Sequence, residues 1–281
     1  MQINIFGSSG FIGSKLHARY IKENRVVRAF DLNSPSSFDL NDDSTWPQLG
    51  SRDIVYLLSS VSSHGMFDSD KALGYKTNIT STLAFLEYLF RSGVQKIIFT
   101  SSEWVFGDQQ ETLVTESDTP TFAGLSSGYA VSKLVIETCL KGMACELGQE
   151  KPSILVARLG IVVGSQRSSG ASALEAIVRD LKKGGLLTVG SLKTARRFIY
   201  VDDVVENLYG LSARETGTYN LTGDTLISLG DIVSEAAEQL GVSVAISEAD
   251  AKGYTIRNVD SLHRKSILQR YDLIKMINAQ F

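Results

Sequence analysis

Short runs of uninterrupted apolar residues alternate with helical segments through the first half of this chain, and that alternation constrains the fold more than any other feature. The runs are "INIFG" (3–7), "VVRAFD" (26–31), "DIVYLLSS" (53–60), "KIIFTSS" (96–102) and "SILVARLG" (153–160). A strand with one wet face alternates apolar and polar residues. A strand that is apolar along its whole length is covered on both faces. Between the runs lie "FIGSKLHARYIKE" (11–23), with apolar or aromatic residues at 12, 16, 20 and 21, then "NITSTLAFLEYLFRSG" (78–93), closing on Gly93, and a helical stretch over 128–147. Strands alternating with crossover helices predict an α/β protein, a Rossmann-type doubly wound parallel sheet with helices on both sides.

The pattern changes after residue 165. "SALEAIVRDLKKGG" (172–185) and "SLGDIVSEAAEQLG" (228–241) read as helices, the first with a glycine stop and the second with Ser228 as its cap. "LLTVG" (186–190) and "RRFIYVDDV" (196–204) read as short strands, and the tail from 254 ends in an amphipathic stretch. The expected organisation is a dinucleotide-binding domain over 1–165 and a small C-terminal substrate lobe over 166–281, with 196–210 a candidate to return to the main sheet.

Several function classes fall away. A net charge of -3 gives no basic field for nucleic acid or an anionic membrane. No run approaches the ~20 apolar residues that span a bilayer, and the first residues lack the basic region and cleavage site of a signal peptide. Cys139 and Cys145 read as free thiols in a reducing compartment, so a cytoplasmic location is expected. His17, His64 and His263 are too scattered for a zinc site, and no metal is expected.

"GSSGFIG" places Gly7, Gly10 and Gly13 directly after a strand and at the start of a helix. Glycines here permit positive φ and let a pyrophosphate approach the backbone, while the N–H groups at the helix start, around Phe11 and Ile12, supply partial positive charge. Asp31 ends the second strand, with Leu32 beside it. A carboxylate there accepts both hydroxyls of an adenosine ribose and repels a 2′-phosphate, which favours NAD. NADP stays open, because Arg28 or Lys15 can serve a phosphate. Asp39 and Leu40 fall near the expected adenine edge, and Leu58, Ser59 and Ser60 end what counts as the fourth strand with small residues that let a cofactor lie close.

"GSSGFIG", Asp31, "DIVYLLSS", "YKTNITSTLAFLE", "GVQKIIFTSSEWVFG", "YAVSK", "RRFIYVDDV" and "YNLTG" occur in an order and spacing that resembles the extended short-chain dehydrogenase/reductase family, the nucleotide-sugar epimerases, dehydratases and reductases. The resemblance runs through most of the chain. It implies that Tyr129 is the general acid/base, that Lys133 lowers the pKa of that phenol and binds the nicotinamide ribose, and that Ser102, rather than Ser101, holds the reacting oxygen. It also implies a nucleotide-diphosphate sugar as substrate. Arg196 and Arg257 are then candidates for the diphosphate, with Arg197 leaving open which arginine points inward, and Val189 is either a packing contact along the base or ordinary core. Asn78 begins a helix and reads as its N-cap, or else contacts the sugar or holds the active-site backbone.

The departures from the family pattern matter. Dehydratases of the family place an acid and a glutamate base just after the serine or threonine; here these positions are Glu103 and Trp104, and an indole cannot take a proton. Ile161 stands where many relatives have a substrate-contacting asparagine. The run "EWVF" is closer to the deoxysugar 4-ketoreductases. The expectation is reduction of a 4-keto sugar nucleotide with NAD(P)H, or else NAD-dependent 4-epimerisation through a transient ketone, with a non-catalytic dinucleotide sensor as a minor alternative. A homodimer through the YxxxK helix is also implied; Leu134, Val135 and Leu140 permit it but equally suit packing on the sheet.

Overall fold

The computed structural model describes residues 2–34, 36–62, 64–107, 109–146, 152–164 and 173–261. The amphipathic tail and His263 lie outside the described residues. The chain forms two compact units that interleave in sequence. The first holds Met1–Gly107, Thr119–Leu159 and Val205–Tyr219; the second holds Asp108–Asp118, Gly160–Val204 and Asn220–Phe281. Compared with a single boundary at 165, the second unit also takes a polar segment from the middle of the chain, and the first takes back 205–219.

In chain order the first unit contains β1 (Ile3–Phe6), α1 (Phe11–Lys22), β2 (Val27–Phe30), β3 (Ile54–Leu57), α2 (His64–Ser69), α3 (Lys71–Tyr75), α4 (Thr82–Arg91) and β4 (Lys96–Ser102). Then β5 (Gln109–Val114) goes to the second unit, and α5 (Gly128–Glu146) and β6 (Ser153–Leu159) complete the alternation. A π-helical turn, Lys76–Ser81, leads into α4, and a 3₁₀ turn, Glu103–Phe106, follows β4.

The main sheet has the order β2-β1-β3-β4-β6 and is closed by β10 (Gly217–Leu221). Pairing from β2 through β6 is parallel. The run at 53–60 is therefore the third strand of the chain, not the fourth. The segment before it is polar and makes one isolated bridge, Asp31 to Ser37, while Phe38 and Leu40 still bury in the core. The order reverses at β1, so the carboxyl ends of β1 and β3 open a crevice where ligands bind in sheets of this kind.

Alternate residues of each strand serve opposite faces. One face carries Phe6, Phe30, Val55, Leu57, Ile97, Phe99, Ile154 and Val156 under Phe85, Leu86 and Leu89 of α4 and Ile136 and Leu140 of α5. Burial of each such side chain is worth ~1.5–3 kcal/mol. Leu134 and Leu140 are thus buried in their own chain and are not available to a partner subunit. On the other face Tyr56 shares a 2.6 Å hydrogen bond with Tyr20 of α1 and donates to the Leu208 carbonyl at 2.9 Å.

In the second unit β9 (Ala195–Tyr200) lies between β11 (Leu226–Ser228) and β13 (Ile256–Val259), with β5 beyond β13 and β7 (Ile161–Val163) also paired to β9. The "RRFIYVDDV" segment therefore does not return to the main sheet. It turns at Tyr200 into α7 (Val201–Leu211), and "YNL", in β10, makes the return instead. The remaining elements are α6 (Ala173–Lys183), β8 (Leu186–Val189), α8 (Leu229–Leu240) and β12 (Ala245–Glu248). A full capping box, Ser228 with Asp231, starts α8, and Gly241 ends it at φ 64°.

Candidate active site

The glycine loop is a steric necessity. Gly7 has φ 90°, and a Cβ there would stand 2.8 Å from the Ser59 nitrogen at the end of β3. A Cβ on Gly13 would stand 2.0 Å from the Gly7 carbonyl oxygen. Gly10 is the N-cap of α1; it brings no side-chain cap, and the first turn holds no acidic residue. The helix start thus keeps backbone N–H groups at Phe11, Ile12 and Gly13 for an anion. Asp31 Oδ2 accepts from the Ser9 nitrogen at 3.1 Å, which ties the end of β2 to this loop. Leu32 beside it is exposed, and Leu58, Ser59 and Ser60 are half-buried at the tip of β3. A cradle lined by backbone, with a carboxylate at its edge, fits the pyrophosphate and ribose of a dinucleotide.

Three expected contacts are used otherwise. Leu40 packs in the core under the sheet, so its side chain does not face a ligand. Asp39 turns back on its own loop, accepting from the Asn41 nitrogen at 2.8 Å. Arg28 donates to the Gln48 carbonyl at 2.9 Å and lies over the Phe30 ring, which commits it away from a 2′-phosphate.

At the carboxyl end of β4, Ser102 lies close enough to the Tyr129 phenol to act on its pKa. Ser102 also accepts from the Trp104 nitrogen at 3.3 Å and so caps the 3₁₀ turn. Ser101 is not equivalent: its hydroxyl donates to Glu137 at 2.5 Å. The alternation along β4 therefore selects Ser102. Tyr129 and Lys133 share one face of α5 and are both buried, so they are not a solvated surface pair. Lys133 Nζ donates to the Thr100 carbonyl at 3.0 Å.

The expected lowering of the phenol pKa by Lys133 does not hold in the chain by itself. Burial pushes Tyr129 up to about 12, with the Ser102 contact opposing it. Burial likewise lowers Lys133 to about 8, and Glu137 partly restores it. Desolvation outweighs the Ser102 contact at Tyr129 and the Glu137 charge at Lys133.

Asn78 lies inside the π-helical turn Lys76–Ser81 and is not a helix N-cap. Its amide accepts from the Val61 nitrogen at 2.8 Å, donates to the Val61 carbonyl at 3.0 Å and reaches Ser132 at 3.3 Å. It braces the loop after β3 against α5. Glu103 is fully buried and Trp104 is half-buried.

In the second unit Val189 belongs to the core with Phe198 and Ile232, so it is packing rather than a base contact, and Ile161 lies against the same core. Arg197 is committed to Asn258 (2.9 Å), the Gly223 and Asp224 carbonyls (3.3 and 2.5 Å) and Asp260 (3.7 Å). Arg196 is half-buried and donates to the carbonyls of Ala195 and Thr255, both at 2.7 Å. Arg257 is fully buried on β13.

The residues that sequence reasoning missed are Glu137 and Arg158, an ion pair at 2.7 Å with both side chains 2% exposed. The available signal was an arginine inside the apolar run "SILVARLG", since a buried charge requires a partner. Among the described residues no group of three or more His, Cys, Asp or Glu side chains is placed to hold a metal, and no helix is long and apolar enough to cross a membrane.

The sequence profile of the NAD dependent epimerase/dehydratase family matches residues 3–221. UDP-glucuronic acid decarboxylase 4 of Arabidopsis thaliana is 26% identical over 85% of this chain and 58% of its own length; the chain thus spans under three fifths of that relative. The dTDP-4-dehydro-6-deoxyglucose reductase of Escherichia coli is 27% identical over 72% of this chain and 69% of its own. The fold matches that of Thermus thermophilus UDP-glucose 4-epimerase in complex with NAD, with a TM-score of 0.79 at 20% identity over 99% of this chain and 98% of the other.

Proposed function

The chain belongs to the NAD dependent epimerase/dehydratase family, and from that premise we propose that it is an NAD(P)-dependent nucleotide-sugar oxidoreductase that reduces a 4-keto sugar nucleotide, with Tyr129 as general acid. The observation that carries this reading is that Ser102, Tyr129 and Lys133 are all buried, with Ser102 close enough to act on the Tyr129 phenol.

The cofactor supplies hydride when bound. Gly7, Gly10 and Gly13 with the N–H groups of Phe11 and Ile12 hold its pyrophosphate, Asp31 its adenosine ribose, and Lys133 the ribose on the nicotinamide side. Leu32, Leu58, Ser59 and Ser60 flank it. Ser102 hydrogen-bonds the sugar carbonyl oxygen and Tyr129 gives that oxygen a proton. The phenol is protonated at neutral pH, the state an acid needs, and burial raises its pKa further. The "EWVF" run after Ser102, closer to the deoxysugar 4-ketoreductases, is what favours reduction over epimerisation. Dehydration lacks its base, because Trp104 cannot accept a proton and Glu103 is buried away from solvent. The same reading places the protein in the cytoplasm as a homodimer, with half-exposed Val131 and Val135 on α5 offered to the second copy.

The test is to incubate the protein with a panel of sugar nucleotides and their 4-keto derivatives, with each nicotinamide cofactor, and to identify products by mass and NMR. A reductase consumes one NAD(P)H per product. Interconversion of two hydroxyl epimers without net absorbance change assigns the epimerase reading instead.

A further inference from the structure

A buried ion pair sits beside the proposed catalytic residues and takes no part in the proton transfer. Glu137 follows Lys133 by one turn of α5, and Arg158 lies on β6. The guanidinium meets the carboxylate through Nε at 3.1 and 3.2 Å and Nη2 at 2.7 Å. Ser101 donates to the same carboxylate at 2.5 Å. Ser101 and Arg158 are direct neighbours in the parallel pairing of β4 and β6. Two strands therefore aim donors at one residue of α5, in the turn that follows Lys133. The Arg158 guanidinium also lies 4.9 Å from the Phe106 ring, at the end of the turn that Ser102 caps. Taking two charges out of water is costly, and apolar side chains would hold a helix to a sheet at least as well.

The surroundings of Lys133 show what charge adds. Its ammonium bonds one carbonyl, Thr100, and faces the rings of Phe99 and Tyr129 at 5.1 and 5.8 Å. The anion that acts on it is Glu137, and Arg158 draws on that anion too. On the elements packed against α5, Glu103 on the 3₁₀ turn is buried, and Lys96 at the far end of β4 is bonded to the Ser212 and Arg214 carbonyls. On the preceding helices Asp68, Lys71, Tyr75, Lys76, Glu87 and Arg91 are exposed and Tyr88 is half-buried.

We propose that the Glu137–Arg158 pair is a positioning element: it fixes the register of α5 on the sheet, so that Tyr129 meets Ser102, and it sets how firmly Lys133 holds its proton. This rests on the reading of Tyr129, Lys133 and Ser102 as the catalytic group. Without the Glu137 charge, two cations remain inside and Lys133 releases its proton more readily. Without the Arg158 charge, the carboxylate acts on Lys133 undivided and the proton is held more firmly.

The experiment is an isotope-labelled lysine NMR titration of the full chain, paired with the alkaline limb of the kcat/KM profile. The wild-type midpoint for Lys133 is expected below the ordinary 10.5, since burial lowers it to about 8. Glu137→Gln moves the midpoint down by about one unit and Arg158→Met moves it up by about one unit, the scale for a nearby charge. Arg158→Lys returns it toward the wild-type value, and the kinetic limb follows each shift. Structural damage alone would not give opposite signs, so midpoints that stay put, or move the same way in both variants, overturn the proposal. If Arg158→Met does not fold, Glu137→Gln must still move the midpoint while Arg158→Lys leaves it; any other pattern overturns the proposal. Opposite NMR shifts in a chain that turns over no sugar nucleotide support the hold of the pair on Lys133 and count against the proposed function alone.

Discussion

The Lys133 ammonium lies 5.8 Å from the centroid of the Tyr129 ring, on the same face of α5, and the two groups depart from ordinary acidity in opposite directions. The phenol is pushed up to about 12 and the ammonium down to about 8, both by burial. At neutral pH this leaves a protonated acid beside a cation. That is the starting state for delivering a proton to a carbonyl oxygen as hydride arrives at its carbon.

Tyr129→Phe removes the proton donor and leaves the ring packing. Turnover should fall by roughly 10²–10⁴-fold, the loss typical of a general acid, with cofactor affinity little changed. Steady-state kinetics together with a cofactor titration check both halves.

Stability should respond to pH in two windows. The folded pKa of Tyr129 lies above its ordinary 10.0, so the native chain keeps a proton the unfolded chain has lost; that stability is intact below pH 10.0 and drains away as pH rises through about 12. Lys133 works the other way. Its folded pKa lies below the ordinary 10.5, so the unfolded chain binds more protons between about 8 and 10.5, and stability from this group rises with pH there. Tyr20 and Tyr56, also raised by burial, reinforce the alkaline loss. Denaturant unfolding across these windows should show a shallower alkaline loss in Tyr129→Phe than in the wild type. Equal slopes would contradict the burial of this phenol.

Gly13→Ala puts a methyl group into the Gly7 carbonyl, at a distance backbone cannot relieve without moving the loop. Overpacking of this kind costs ~1–3 kcal/mol. The expected result is a lowered Tm and loss of dinucleotide binding in the same variant, read by thermal unfolding and calorimetry.

Asp31→Ala deletes a carboxylate that accepts from Ser9 and is assigned to the ribose hydroxyls. A hydrogen bond to a charged group is worth ~1.5–3 kcal/mol, so NAD(H) should bind about tenfold more weakly or worse. NADP(H) should lose far less, because the same carboxylate repels a 2′-phosphate. Equal losses for the two cofactors would reject the ribose assignment.

The sheet was readable in the sequence because its strands are apolar along their length, and "GSSGFIG" announced the turn that only glycines permit. Ser102 was preferred to Ser101 only through the family resemblance; the tie of Ser101 to Glu137 was not legible in the sequence. The second unit was far less legible. The polar "QQETLV" of β5 carries no strand periodicity, and it is held by β13, more than a hundred residues away in sequence. Local pattern does not report such pairing. Val189 and Leu40 were candidate ligand contacts and are core, since burial depends on which apolar residues the fold brings together. Arg197 looked like a rival of Arg196 until its partners Asn258 and Asp260, both distant in sequence, were in place.

The most direct test is single-turnover transfer of deuterium from labelled NAD(P)H to a 4-keto sugar nucleotide, followed by NMR of the product in the wild type and in Tyr129→Phe. The label should appear on the sugar carbon that was the ketone, once per cofactor consumed, and at a rate that drops at least about 10²-fold in the variant. Transfer at the wild-type rate without the phenol, or no label on the sugar at all, would contradict the account.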